Sequence, residues 1–407
     1  MVERYIQRAI EPVLSRATSE FPSVMLTGPR QSGKTTVLRR LFGRSHHYVS
    51  LEAPDVRAAA LADPRGFLDL HPAPAIFDEV QNVPDLLPYI KERIDGQRHA
   101  AGQYLLTGSQ NLLLMEQVTE SLAGRAATLR LLPLSMRELA GDSGATLPWE
   151  DGTRRTDDNA GGIGHLWTTL IRGTYPEIAA SPGRDATLWH SSYVQTYLER
   201  DVRSLRQVGD LSTFQSFLRA LAMRSGQLLK ISEMARDLGV AVNTAKAWLS
   251  VLEASFQVLV LRPYFSNVGK RLVKTPKVYF TDTGTLSYLV GLSDPSHAVG
   301  GPMAGPLFET AVLMEIVKTM VHRGHEPNVY FWRTSTGTEV DIVVESGGRL
   351  IPLEVKTTAT PRPAMAHGIT VFREAHGETA YPGYVVHPGD TRLPLVPGVT
   401  ALPFRQL

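Results

Sequence analysis

Residues Gly28-Pro29-Arg30-Gln31-Ser32-Gly33-Lys34-Thr35 have the spacing G-x-x-x-x-G-K-T. Glycines at both ends let backbone N–H groups curve around a string of phosphates. A lysine at this place reaches the β and γ oxygens, and the threonine that follows puts a hydroxyl on Mg²⁺. With Thr36, these residues form a candidate nucleotide cradle. An acidic pair at the end of a second apolar run, Asp78-Glu79 in "PAIFDEVQ", supplies the other half. Asp78 would hold the Mg²⁺ water shell, and Glu79 would orient or deprotonate an attacking water. A strand-end acid pair that merely caps the next helix is the plainer alternative.

A third run, "GQYLLTGSQNLLL", ends in polar residues after Tyr104 to Leu106, so that Ser109, Gln110 or Thr107 would sense a γ-phosphate. In "ESLAGRAATLRLLPLSMREL", Arg125 or Arg130 would stabilise transferred phosphate as a finger, in cis or across a subunit boundary. Each is equally readable as a solvated or salt-bridged arginine.

The second chemical constellation lies in "GTEVDIVVESGGRLIPLEVKTT". Gly347-Gly348 between alternating runs signals a two-residue hairpin turn. If Ser346 pairs with Arg349, Asp341 falls opposite Glu354, with Lys356 across from Glu339 on the same side. The other side is Val340, Ile342 and Val344 against Ile351, Leu353 and Val355. Facing carboxylates repel, so they need Lys356 or a metal between them. Upstream, Glu309 shares a helical stripe with Leu313, Ile316, Val317 and Met320, after Gly305-Pro306 opens the helix. An acid in a first turn also complements the helix dipole. Glu309, Asp341 and Glu354 together would hold one or two hard cations. Such an ion lowers the pKa of a bound water and polarises a phosphodiester, with Lys356 orienting that water or stabilising the developing charge.

These residues must be positioned by a chain of 407 residues, longer than one core usually serves. Apolar residues at 43% and charged residues at 20% describe an ordinary globular composition. No apolar run is long enough to span a membrane, the start lacks a signal-peptide pattern, and the expected location is the cytoplasm. The absence of cysteine excludes disulfides, thiolate zinc sites and cysteine nucleophiles. A net charge of +2 requires any nucleic-acid contact to come from local patches.

The spacing divides the chain into 1–140, a βα-alternating nucleotide domain with a mostly parallel sheet; 141–165, a Gly- and Asp-rich linker; 166–300, a helical part; and 301–407, a second α/β domain. In the middle, "ISEMARDLGVAVNTAKAWLSVLE" reads as helix-turn-helix, with Ser232 and Asn243 as caps and the turn at Gly239, the second helix ending near Leu252. Strand-like runs Val258 to Tyr264 and Val278 to Phe280 suggest a winged version. Lys246 on the second helix, and Lys270, Arg271, Lys274 and Lys277 in "GKRLVKTPK", are the nucleic-acid candidates; a packing module or a solvated edge is the alternative. "GYVVH" adds one more strand to the last domain, and His367, His376 and His387 read as structural.

The order Glu, Asp, Glu-x-Lys resembles the PD-(D/E)xK, restriction-endonuclease-like nucleases, although Val340 rather than proline precedes Asp341. The wider order "GPRQSGKTT", "IFDEVQ", "LLTGSQ", "SLAGR", "YLERDV", "KVYFTDTG", "FE", "FWRTSTGTEVDIVV" and "LEVK" resembles AAA-type ATPases whose C-terminal half ends in that nuclease-like fold. The resemblance implies an α/β multidomain chain: a P-loop AAA-type sheet, a helical and winged-helix middle, and a restriction-endonuclease-like end. It implies ATP and Mg²⁺ at the first site, Mg²⁺ or Mn²⁺ at the second, and DNA as partner, with a homo-oligomer left open. Two rivals remain: a nucleotide switch that binds DNA or a protein without cutting, and a signalling NTPase that only assembles with other proteins.

Overall fold

The computed structural model describes residues 5–109, 121–150, 162–198, 211–264 and 274–407. Gln110, Lys270 and Arg271 therefore lie outside the described residues.

Five parallel strands build the first sheet: β1 (Ser23–Thr27), β2 (His47–Ser50), β3 (Ala75–Asp78), β4 (Tyr104–Gly108) and β5 (Ala126–Arg130), in the order β2-β3-β4-β1-β5. β1, β3 and β4 are buried along their whole length, as expected of parallel strands covered on both faces. Their carboxyl ends lie on one edge, where Thr27, Asp78 and Gly108 finish the strands. That edge is where open α/β sheets bind ligands.

The middle of the chain is helical. Ile231–Asp237 and Val242–Ala254 are joined by a turn in which Gly239 takes φ +67°, followed by β6 (Val258–Leu261) and β7 (Lys277–Phe280) paired antiparallel. Both helices begin one residue before the expected caps, and neither Ser232 nor Asn243 caps them: the N-caps are Lys230 and Ala241, neither with a side-chain capping bond. Trp248 packs edge-on against Phe214 and Phe217.

The last sheet is mixed and six-stranded: β8 (Val329–Arg333), β9 (Glu339–Ser346), β10 (Arg349–Val355), β11 (Gly383–His387), β12 (Leu393–Val396) and β13 (Val399–Pro403), in the order β12-β13-β11-β10-β9-β8. Gly347 and Gly348 both have positive φ, 58° and 75°, the pattern of a type I′ turn, and Ser346 pairs with Arg349 as the turn dictates. Ile342, Val344, Ile351 and Leu353 share a core with the helix Ala304–His322. Val340 departs from the expected face and packs with Trp332, Val343 and Phe372, beside a register shift between Tyr330 and Trp332.

The helix Ala304–His322 is buried around its circumference and touches β5, β10 and the helices Ile163–Arg172 and Thr283–Leu289. One apolar core runs from Trp167 through Phe308 to Leu402, so the boundary expected at residue 300 is not a break in packing. Among the described residues no helix is long and apolar enough to cross a membrane.

Candidate functional site

β1 delivers the chain into the loop from Gly28 to Gly33, and the helix Lys34–Phe42 starts as the loop ends. Gly28, at φ +146°, lies where a Cβ would meet the Leu131 carbonyl oxygen at 2.1 Å, so only glycine fits. Gly33 takes φ +93° as the helix N-cap, which turns the loop onto the helix end. A cavity of about 720 Å³ opens here, lined by Arg30, Gln31, Gly33, Lys34, Thr35 and Thr36 from the loop, with Asp78 and Glu79 from β3 across it.

Lys34 is buried, its Nζ donating to the carbonyls of Gly28 (3.0 Å) and Pro29 (2.9 Å). The Thr35 hydroxyl donates to Asp78 Oδ1 at 2.8 Å, so two hard oxygen donors already meet where Mg²⁺ would be held; the residues fit that ion. Tyr48 donates to the other Asp78 oxygen at 2.9 Å, and Thr107 to the first at 2.5 Å. Burial and the Asp78 carboxylate push the Tyr48 phenol up to about 12, so it stays a donor. Glu79 sits in the left-handed region at φ 60°, with its N–H donating to Thr107 Oγ1 at 3.0 Å. Gln81 Nε2 donates to Glu79 Oε2 and, at 3.0 Å, to Ser109 Oγ, joining the two residues expected to face a γ-phosphate.

Arg125 lies at the other end of the sheet. Its carbonyl accepts from Ser23 N, at the start of β1, and its guanidinium pairs with Asp95 at 2.7 Å. A finger in cis is therefore excluded by position, since the phosphate loop follows the end of β1. Arg130 pairs with Glu326 of the C-terminal part.

In the last domain Glu309, Asp341, Glu354 and Lys356 come together. The ladder between β9 and β10 ends at Ile342 opposite Leu353; beyond it, the Val355 N–H donates to Asp341 Oδ2 at 2.8 Å. Lys356 Nζ lies 2.6 Å from Glu354 Oε2 and 3.9 Å from Asp341 Oδ2. Glu339 does not meet Lys356. Its partners are Lys277 Nζ at 2.5 Å and Arg333 Nη1 at 2.8 Å. Lys277 also pairs with Glu309 Oε1 at 3.1 Å, and the same oxygen accepts from the Tyr279 hydroxyl at 2.5 Å.

Burial and then Asp341 raise the carboxyls of both Glu309 and Glu354, against Lys277 at the first and Lys356 at the second. Burial alone would lower the Lys277 ammonium, but Glu309, Asp341 and Glu339 outweigh it and raise it above the usual lysine range. A divalent ion does not fit beside these lysines, because Lys277 on Glu309 Oε1 and Lys356 on Glu354 Oε2, 3.9 Å from Asp341 Oδ2, already balance the acids that would hold it. Among the described residues no group of three or more His, Cys, Asp or Glu side chains is set to bind a metal.

Lys277 therefore departs from the exposed basic edge in which the sequence placed it: its side chain is 4% exposed. Lys246 and Lys274 are exposed.

Arg8 is a residue the sequence did not single out. Its Nη1 donates to the Ser32 carbonyl in the phosphate loop (2.8 Å), Nη2 to the Leu132 carbonyl (2.7 Å) and Nε to Glu138 Oε1 (3.1 Å). His322, on the helix that carries Glu309, accepts from Leu132 N at its Nε2 (3.1 Å), so its proton sits on Nδ1, 3.2 Å from Glu138. A buried polar chain thus runs from the nucleotide loop to the C-terminal helix. The only signal for it was an arginine on an otherwise amphipathic opening stretch.

Residues 20–140 match the AAA domain family; residues 163–296 and 304–407 match two further families, each described as a domain of unknown function (DUF8612 and DUF4143). Among solved structures, the Walker-type ATPase PABY2304 of Pyrococcus abyssi superposes with a TM-score of 0.48 at 15% identity, over 71% of this chain and 97% of its own. Uncharacterized protein Rv2008c of Mycobacterium tuberculosis and uncharacterized protein Mb2031c of Mycobacterium bovis are each 34% identical over 396 residues, 97% of this chain and 82% of theirs. The chain belongs to the family of these two mycobacterial proteins, and its N-terminal third is an AAA domain, which implies an ATP site.

Proposed function

We propose that the chain binds and hydrolyses ATP in the cavity between the phosphate loop and β3, and that its C-terminal domain is a nuclease-like module acting on DNA. The observation that carries the first half is the contact of Thr35 with Asp78, with Glu79 beside them. Bound Mg²⁺ would neutralise phosphate charge there. Backbone N–H groups from Arg30 to Thr36 wrap the phosphates, Lys34 leaves the loop carbonyls for the β and γ oxygens, and Glu79 accepts the proton of the attacking water. Ser109, tethered through Gln81, senses the γ-phosphate.

The second half is supported by the meeting of Glu309, Asp341, Glu354 and Lys356 from one helix and two strands. Exposed Lys246 and Lys274 would follow DNA phosphates, with the Ile231–Asp237 and Val242–Ala254 helices and β6 and β7 acting as a winged helix. The rival reading, a switch that binds DNA or a protein without cutting, is favoured by one observation: lysines occupy the acidic site and leave no metal cage.

Incubation of end-labelled single- and double-stranded DNA with the protein, Mg²⁺ or Mn²⁺, with and without ATP, separates these readings. Product lost in Lys356→Ala supports the nuclease, and product lost also in Lys34→Ala makes ATP its gate. ATP hydrolysis with no product under any condition, but with DNA retained at low salt, supports the switch.

A further inference from the structure

We propose that Lys277 is the resident cation of the C-terminal acidic site: held by Glu309 and Glu339, its ammonium takes the charge-balancing role of a divalent ion between Glu309 and Asp341, so that the lysine and the ion exclude one another. The inference deepens the nuclease-like reading of that site and rests on it for the ion's chemical role, but its geometry stands alone.

Lys277 differs from Lys356 in both origin and surroundings. Lys356 is carried just beyond β10 and its side chain is 34% exposed, open to an incoming phosphate. Lys277 is 4% exposed and comes from the middle of the chain. It lies on β7, opposite Leu261 of β6 and bridged to Leu228, with the flanking Pro276 carbonyl accepting from Leu229 N at 2.7 Å and the Val278 carbonyl from Gly226 N at 2.8 Å. From there its ammonium crosses to Glu339 on β9 and Glu309 on the Ala304–His322 helix.

A buried ammonium contacting two carboxylates has the charge and reach to take a metal's place. It also answers why four acids, Glu309, Glu339, Asp341 and Glu354, can crowd together: Lys277, Lys356 and Arg333 each sit on at least one of them. A divalent ion entering between Glu309 and Asp341 would meet a positive charge a few ångströms away in a poorly solvated site, where like charges repel strongly. Because Lys277 belongs to the β6 and β7 pair and the acids belong to the last domain, a shift of that pair would withdraw the lysine and leave an open acidic cleft.

The test is equilibrium binding of Mn²⁺ alone to the full chain, followed by electron paramagnetic resonance of the free ion. It compares wild type, Lys277→Met and Lys277→Met with Glu339→Gln, each with and without Asp341→Asn to subtract ions held at Thr35 and Asp78. We expect no Asp341-dependent Mn²⁺ in the wild type. We expect a new ion in Lys277→Met, bound at least about tenfold more tightly than any wild-type ion that Asp341→Asn removes. The double variant removes a carboxylate together with the cation, so it keeps the charge balance if Lys277→Met alone does not fold, and it should gain the same ion. Asp341-dependent Mn²⁺ bound equally by the wild type and either lysine variant would overturn the proposal, as would no gain in a folded variant. DNA cleavage measured on the same samples keeps the two readings apart. Cleavage without any change in Mn²⁺ affinity sinks the lysine proposal and leaves the nuclease standing, whereas gained Mn²⁺ without cleavage in any variant keeps the lysine and removes the nuclease.

Discussion

Arg8 and Glu138 form a buried ion pair, Nε to Oε1 at 3.1 Å, with side chains 4% and 0% exposed. The remaining guanidinium nitrogens hold the Ser32 and Leu132 carbonyls, and Glu138 also accepts from the N–H groups of Ala9 (2.7 Å) and Ser135 (2.8 Å). The pair thus fastens the phosphate loop to the start of the chain and to the short helix Met136–Leu139. Removing one partner strands a charge in a dry interior, which costs about 3–5 kcal/mol. Arg8→Met should lose stability of that order in urea unfolding, and its ATP affinity should fall because Ser32 loses its anchor. Unchanged stability would mean that the guanidinium is not needed to balance Glu138.

Glu79 and Gln81 make a kinetic prediction. Glu79→Gln keeps the shape of the site but cannot accept a proton, so ATP binding should stay within a few-fold while turnover falls by about 10²–10⁴. Gln81→Ala frees Glu79 and Ser109 from each other and should change turnover by about tenfold or less, since it removes a positioning contact only. Phosphate release in single-turnover mixing, next to nucleotide binding by fluorescence, distinguishes these effects. Equal loss of binding and turnover in Glu79→Gln would remove its role as base.

The Glu138 and His322 pair sets a pH dependence. Burial would raise the Glu138 carboxyl, but Arg8 and His322 outweigh it and hold it well below the usual range. Burial lowers the His322 imidazole, against the pull of Glu138. Both folded-state values lie below their unfolded ones, so in each case the unfolded chain binds more protons, and stability rises with pH and is lost as pH falls. The His322 contribution is present above its ordinary value near 6.5 and is lost as pH falls below it; that of Glu138 is lost further down, below 4.5. The melting temperature should therefore drop from neutral pH toward about pH 5. His322→Gln should drop less over the same range, and parallel curves would place the titration elsewhere.

The hairpin and the phosphate loop were legible because their rules are local. Gly347-Gly348 sets the register, and G-x-x-x-x-G-K-T sets the loop within one turn of chain. Arg8 was not legible, since its carbonyl partners lie 24 and 124 residues away and a backbone acceptor leaves no mark in the sequence. Lys277 was misread for a related reason. All four residues of β7 are buried, so alternation along the strand could not tell an inward lysine from an outward one. The Ala304–His322 helix defeats periodicity in the same way, because both Glu309, at the acidic site, and Glu315, at the ATPase side, lie on a helix that is enclosed all around.

Glu315 gives the last prediction. Its two oxygens accept from Met136 N at 2.6 Å and Arg137 N at 3.2 Å, the opening N–H groups of the helix Met136–Leu139. A carboxylate from the C-terminal part therefore caps a helix of the AAA domain, where the positive end of the helix favours it. Close by, Lys318 Nζ donates to the Leu134 carbonyl at 3.0 Å and to Thr174 Oγ1 at 2.8 Å, so the joint is polar and fully enclosed. Glu315→Ala leaves the buried Arg137 N–H without its acceptor, at about 1–3 kcal/mol, and the partly buried Met136 N–H at less. That penalty falls on the joint rather than on either core, because the apolar packing of the first sheet and that of the last are separate clusters. The variant should unfold in two steps in urea, with the AAA domain and the rest separating. ATP should raise the midpoint of the step in which the AAA domain unfolds and leave the other unmoved, since a ligand stabilises the unit that binds it. A single transition, shifted as a whole by ATP, would mean that the joint survives without Glu315 and that the Arg8 and His322 chain is enough to hold it.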